Sequence, residues 1–226
     1  MQKPVSLSFM LAGILFTACL LISNILAVKI IMIGPWAAPA GVLIFPVAYI
    51  LNDVIAEVWG YRKARLIIWF GFAMNALAVI FYSIAIALPK ADFWTQQQAF
   101  SDILGSTPRL TLAGFIAYLA GSFLNAYILS RMKIKSKGKN FGVRAILSTL
   151  VGESADSFLF ITISFAGIFA SMDLIKMIIT QALLKTVYEI IILPVTIIVV
   201  RTIKKIEEID TFDNQIFYSP FRIRDL

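Results

Sequence analysis

At 226 residues, with 60% hydrophobic side chains, 15% charged ones and a mean hydropathy of +0.88, the chain has too little charge to clothe a water-soluble domain of its length, so its solvent must be lipid. The net charge of +7 is scattered through short segments between apolar runs, a pattern that encodes membrane topology and excludes the basic stripe of a nucleic-acid face. A single cysteine, Cys19, and the absence of histidine exclude a disulfide framework, a thiolate metal site and imidazole catalysis, so neither metal nor cofactor is expected.

A helix needs about 20 apolar residues to cross the hydrocarbon layer. Stretches 7–33, 40–59, 64–88, 110–130, 143–170 and 174–200 meet that requirement. They predict an all-α integral membrane protein, a bundle of about six transmembrane helices over residues 1–200 with a cytoplasmic tail at 201–226. The first apolar run is too long for a signal-peptide core and is expected to stay as the first helix. Arg62, Lys63 and Arg65 fall in the second loop, Arg131 to Arg144 in the fourth and Arg201 to Arg224 in the tail. Fifteen of the twenty lysines and arginines thus lie on one side and three (Lys90, Arg109, Lys176) on the other, while Lys29 and Lys185 fall inside spans. The positive-inside rule puts both termini in the cytoplasm. The long third loop, 89–109, faces outside, and Asp92 with Phe93, Trp94, Phe100, Ile103 and Leu104 fits either a short interfacial helix capped by Asp92 or a solvated loop with an aromatic anchor.

Polar residues at membrane depth are costly and normally face the bundle interior. The second span carries Asn52, Asp53 and Glu57, the fifth Glu153 and Asp156, the sixth Gln181, Lys185 and Glu189, each set at i,i+3 or i,i+4 and therefore on one helix face. Tyr49 extends the first stripe, Thr149 and Phe160 the second, Tyr188 the third. With a rise of about 1.5 Å per residue, Glu153, Asp156, Lys185 and Glu189 fall near the midplane, Asp53 somewhat below it and Glu57 about a turn from the cytoplasmic end. Lys185 has partners within reach in Glu189 or Asp156, yet five carboxylates exceed the one or two buried cations. The excess must be protonated, hydrated or reserved for a ligand. Pro46, Gly152 and Pro194 lie beside these charges, where kinked helices would be placed in a secondary transporter. Ala113, Ala117 and Gly121 recur every four residues and lead to Asn125, and Ala166 and Ala170 share that spacing. Such stripes allow close packing within the bundle or, in a homodimer, between protomers.

The segments SNILAVK at 23–29, FPVAYILNDVIAEVWGYRKAR at 45–65, RAILSTLVGESADSFLFITISFAG at 144–167 and KTVYEIIILPVT at 185–196 together resemble the queuosine precursor transporter family, within the vitamin uptake transporter group. The resemblance implies uptake of 7-cyano-7-deazaguanine or its 7-aminomethyl relative across a bacterial inner membrane. A carboxylate can accept two N–H bonds from a guanine-like edge, amides and Lys185 can serve its acceptors, and Phe45, Tyr49, Phe160 or Tyr188 can stack on the ring. The expected substrate-binding set is Asn24, Tyr49, Asn52, Asp53, Glu57, Glu153, Asp156, Phe160, Gln181, Lys185, Tyr188 and Glu189. Asp156 is the candidate for proton coupling, since carboxylates are natural proton carriers where histidine is absent. Two other readings stand beside it. One is a substrate-binding subunit driven by a separate ATPase, the chain having no G-x-x-x-x-G-K-[ST] of its own. The other is an intramembrane carboxylate enzyme built on Asp53 and Asp156, against which stands the lack of a Gly-x-Gly-Asp context.

Overall fold

The computed structural model describes residues 6–26, 28–33, 36–105, 108–167, 170–213 and 218–219. Helix α1, Leu7–Leu26, is followed by strands β1, Ile30–Ile33, and β2, Trp36–Pro39, and by a 3-10 turn at Ala40–Leu43. Then come α2, Phe45–Trp59; α3, Tyr61–Ala87; the short α4, Gln97–Leu104; α5, Pro108–Lys135; α6, Phe141–Phe165; and α7, Ser171–Glu207.

The first helix ends at Leu26, not near residue 33 as apolarity suggests. Isoleucines 30, 31 and 33 are β-branched and favour extended backbone, and periodicity cannot tell a short apolar run of strand from helix. The two strands pair antiparallel with Ile31 opposite Ala38, so they satisfy their own backbone groups. The fold is therefore helical apart from this hairpin.

Among the described residues, five helices are long and apolar enough to cross a membrane: α1, α3, the Leu112–Lys135 part of α5, α6 and the Leu174–Glu207 part of α7. Their outer faces carry Leu11, Ile14 and Leu15 on α1, Phe70, Leu77 and Phe81 on α3, and Ile179, Leu183, Val187 and Ile191 on α7, all exposed. Helix α2 differs. It has 15 residues, about 22 Å at the helical rise, and Asn52 to Gly60 are all buried. Pro46 does not kink it but occupies its first turn, where a missing N–H costs nothing. Gly60 ends it at φ 85°, and a Cβ there would lie 2.8 Å from both Asp213 Oδ1 and Thr211 Cγ2.

Helices α5 and α6 meet through glycines. A Cβ on Gly121 would stand 2.9 Å from Asp156 Cβ and 3.0 Å from the Gly152 carbonyl, while one on Gly152 would stand 2.9 Å from the Gly121 carbonyl and from Asn125 Cβ. The small-residue stripe is thus used inside the bundle: Ala113, Ala117, Gly121 and Asn125 are all buried. The second stripe does not form, because α6 stops at Phe165 and Gly167 turns away at φ +82°, leaving Ala166 and Ala170 outside any helix and exposed. Helix α7 instead runs beyond residue 200 to Glu207, with Pro194 accommodated inside it. In the third loop the helical alternative is the one adopted, but α4 begins at Gln97 with Gln96 before it, so Asp92 is not its cap. Trp94 packs edge-on against Phe100.

Candidate transport site

Two polar centres lie along the inner faces of α2, α5, α6 and α7. In the upper one Lys185 of α7 reaches across to α6, with Nζ 2.5 Å from Asp156 Oδ2 and 2.8 Å from Glu153 Oε2. The interhelical pairing of Lys185 is therefore the one formed. Tyr49 of α2 turns its hydroxyl toward Glu153 and into the space that Gly121 leaves empty. On the same face of α2, Asp53 accepts a 2.5 Å hydrogen bond on Oδ1 from Asn125 Nδ2 of α5. Glu189, one turn along α7 from Lys185, is close enough for its charge to act on Asp53.

Four carboxylates, Asp53, Glu153, Asp156 and Glu189, thus belong to the upper centre, all at most 5% exposed, and two of them, Glu153 and Asp156, pair with Lys185. Among the described residues neither Asp53 nor Glu189 forms a salt bridge. Several polar atoms here are buried with no hydrogen-bond partner: Asp53 Oδ2, Asn52 Nδ2, Asn125 Oδ1, Thr149 Oγ1 and Glu189 Oε1. Buried polar groups are normally satisfied, so this concentration sets the upper centre apart as the candidate site.

The lower centre is saturated. Glu57, one turn along α2 from Asp53, receives a two-pronged contact from Arg144 of α6, at 2.6 and 3.0 Å. Lys204 Nζ of α7 joins it at 2.6 Å. Lys133 of α5 lies 3.8 Å from the same carboxylate and donates to the Glu57 carbonyl at 2.5 Å. Asp210 of the tail bridges Lys133 and Lys204 at 2.5 and 2.9 Å. Burial pushes the Asp210 carboxyl up, but the hydrogen bonds from Lys133 and Lys204 outweigh it and hold the group below the ordinary carboxylate range. The tail closes over this centre. Thr211 N–H donates to the Val58 carbonyl at 3.2 Å, Tyr61 N–H to Asp213 Oδ2 at 2.9 Å, and Ser130 Oγ to the same Asp213 oxygen.

The structure therefore brings together Tyr49, Asp53, Glu153, Asp156, Lys185 and Glu189, leaves Asn52 buried next to Asp53 in the chain, and places Glu57 apart in the lower centre. Gln181 and Tyr188 are half-buried on α7, a turn to either side of Lys185. Phe160 stands on α6 beside Gly114, edge-on to Phe165. Asn24 lies elsewhere, its side chain bonded to Asn75 of α3 at 2.5 Å. Asn125, Arg144, Lys133, Lys204 and Asp210 belong to the two centres but were not assigned to a site from the sequence. The signal for three of them was present: Arg144, Ser148, Gly152 and Asp156 form one i,i+4 row, and Leu129 and Lys133 continue the row through Gly121 and Asn125.

Lipid-facing helices wrapped around a charged and partly unsatisfied interior define a multi-pass membrane transporter. The chain belongs to the family described as "Putative vitamin uptake transporter", whose sequence profile matches residues 39–199 and so takes in every residue of both centres except Lys204 and the tail. It is 25% identical over 173 residues to the "Probable queuosine precursor transporter" of Bacillus subtilis (strain 168), covering 76% of each chain. A protein of the same description from Haemophilus influenzae is 27% identical over 128 residues, 55% of this chain and 51% of the relative. No solved structure matches significantly.

Proposed function

We propose that the chain imports a queuosine precursor, 7-cyano-7-deazaguanine or 7-aminomethyl-7-deazaguanine, across a bacterial inner membrane. The observation that carries this is the upper centre, where Glu153 and Asp156 share the Lys185 ammonium while Asp53, Glu189, Asn52 and Asn125 keep buried polar atoms without hydrogen-bond partners. A guanine-like ring brings the missing donors and acceptors, and both relatives carry names for precursor transport. Tyr49, Asn52, Asp53, Glu153, Asp156, Lys185 and Glu189 take part in binding, with Gln181, Tyr188 and Phe160 flanking. Glu57 holds the cytoplasmic end shut instead of touching substrate.

In this reading α2 is the sixth crossing, a half-length helix completed on the outer side by the hairpin and the 3-10 turn, as in transporters whose broken helices line a central site. The charge bias sets both termini inside. Reporter fusions after Lys63 and Lys137 are expected to read cytoplasmic and one near Trp94 external; an inverted pattern defeats this orientation.

Uptake is coupled to protons through Asp156, whose pairing with Lys185 is made and broken in the transport cycle. Cells lacking both precursor synthesis and this protein, supplied with the chain, are expected to accumulate labelled precursor faster in acid medium and to lose accumulation with a protonophore. Asp156→Asn is expected to keep exchange across the membrane and lose concentrative uptake. Protonophore-insensitive, pH-independent uptake would remove the coupling and leave facilitated diffusion.

A further inference from the structure

The upper centre is not uniform. Glu153 and Asp156 share Lys185, whereas Asp53 is held by a neutral amide. Asn125 donates its N–H to Asp53 Oδ1 and is left with a free oxygen. The result is a pair of unmet acceptors on adjoining residues, Asp53 Oδ2 and Asn125 Oδ1. Asn52 Nδ2, from the preceding position on α2, is an unmet donor, and Glu189 Oε1 of α7 a further acceptor. Exposure is 2% for Asn52, 0% for Asp53, 0% for Asn125 and 2% for Glu189, so all four are shielded from bulk solvent. Asn125 stands at the close α5–α6 contact, where a Cβ on Gly152 would come within 2.9 Å of its own Cβ.

Adjoining acceptors call for neighbouring N–H groups on one rigid edge, and the amide donor calls for a carbonyl. A fused 2-amino-4-oxopyrimidine ring supplies them in a row: amino N–H, ring N–H, carbonyl oxygen. A ring with an amino group in place of the carbonyl, as in adenine, reverses two of the three. We propose that Asp53 and Asn125, with Asn52 and Glu189, form the edge-reading subsite for a 2-amino-4-oxopyrimidine face, separate from the Lys185 triad, and that Asn125 is a specificity-determining residue. This rests on the reading of the chain as a deazapurine importer. It adds that loss of the 2-amino group alone strands a buried acceptor, which a hydrogen-bonding site penalises strongly.

The test is equilibrium binding of labelled 7-cyano-7-deazaguanine to the purified full chain, competed by 7-deazaguanine and by 7-deazahypoxanthine, which lacks only the 2-amino group. For the native chain 7-deazaguanine is expected to compete about 100-fold better. In Asn125→Ala, or in Asn125→Ser if the alanine variant does not fold, the ratio is expected to fall to about tenfold or less. Lys185→Met is expected to weaken binding of both competitors together and keep the ratio. Equal competition on the native chain, or an undiminished ratio in the folded Asn125 variants, overturns the subsite. Failure of the folded native chain to bind the labelled precursor at all instead overturns the deazapurine reading, and the subsite with it.

Discussion

Asp53 and Glu57 stand one turn apart on the same face of α2, at 0% and 1% exposure, yet they live in opposite chemistry. Glu57 has Arg144, Lys204 and Lys133 around it and keeps no oxygen to spare. Asp53 has one amide and an oxygen with no partner. Equal burial therefore says nothing about role; the balance of partners does. A buried acid ringed by cations from three other elements ties those elements together, and a buried acid left half-satisfied is the candidate for binding.

The largest effect that tests this contrast is on stability. Glu57→Gln strips the counter-charge from the buried Arg144, and breaking such a pair costs about 3–5 kcal/mol. Asp53→Asn removes no ion pair among the described residues and is expected to cost less than about 1 kcal/mol. Denaturant unfolding of both variants in detergent measures the difference. Ligand binding per folded molecule should invert the order, surviving in Glu57→Gln and vanishing in Asp53→Asn. If the two variants behave alike in both assays, the two-centre description is wrong.

The next effect bears on the close contact beneath the upper centre. Gly121→Ala would drive a methyl to 2.9 Å from Asp156 Cβ and 3.0 Å from the Tyr49 hydroxyl, and such overpacking costs about 1–3 kcal/mol. Because both displaced groups belong to the upper centre, affinity for the precursor should fall with stability. A stabilised or unchanged variant would mean that α5 and α6 part more easily than their geometry suggests.

How far these centres can be read from sequence depends on what each signal measures. Charges at helical spacing in apolar spans revealed Asp53, Glu153, Asp156, Lys185 and Glu189, since few physical reasons put them there. The cations of the lower centre were read as loop charges because they lie at or beyond the ends of the apolar windows. Hydropathy stops where charge begins, even though the helix face continues: Lys133 and Arg144 sit on the rows that hold Asn125 and Asp156. Glu57 lies in the last turn of α2, but its partners come from α5, α6 and α7, and no local pattern encodes such long-range meetings. The hairpin after α1 was missed for a different reason, that four apolar residues in a row fit strand and helix equally.

The smallest effect concerns the tail. Asp210 has its pKa lowered in the folded state, so its contribution is present above the unfolded carboxylate range and is lost as pH falls through the folded value. Its side chain is 45% exposed, so solvent screens much of the gain. Melting curves of the native chain and Asp210→Asn should differ slightly at neutral pH and converge in acid. A gap that widens on acidification would show that Asp210 does not hold Lys133 and Lys204.

Uptake of labelled 7-cyano-7-deazaguanine and 7-aminomethyl-7-deazaguanine into liposomes containing only the purified chain tests the assignment of the upper centre most directly. Saturable uptake of at least one of the two is expected without ATP or a second protein, abolished by Asp53→Asn, Glu153→Gln and Glu189→Gln in folded, inserted protein. Absence of uptake by the folded native chain, or undiminished uptake in all three variants, would contradict it.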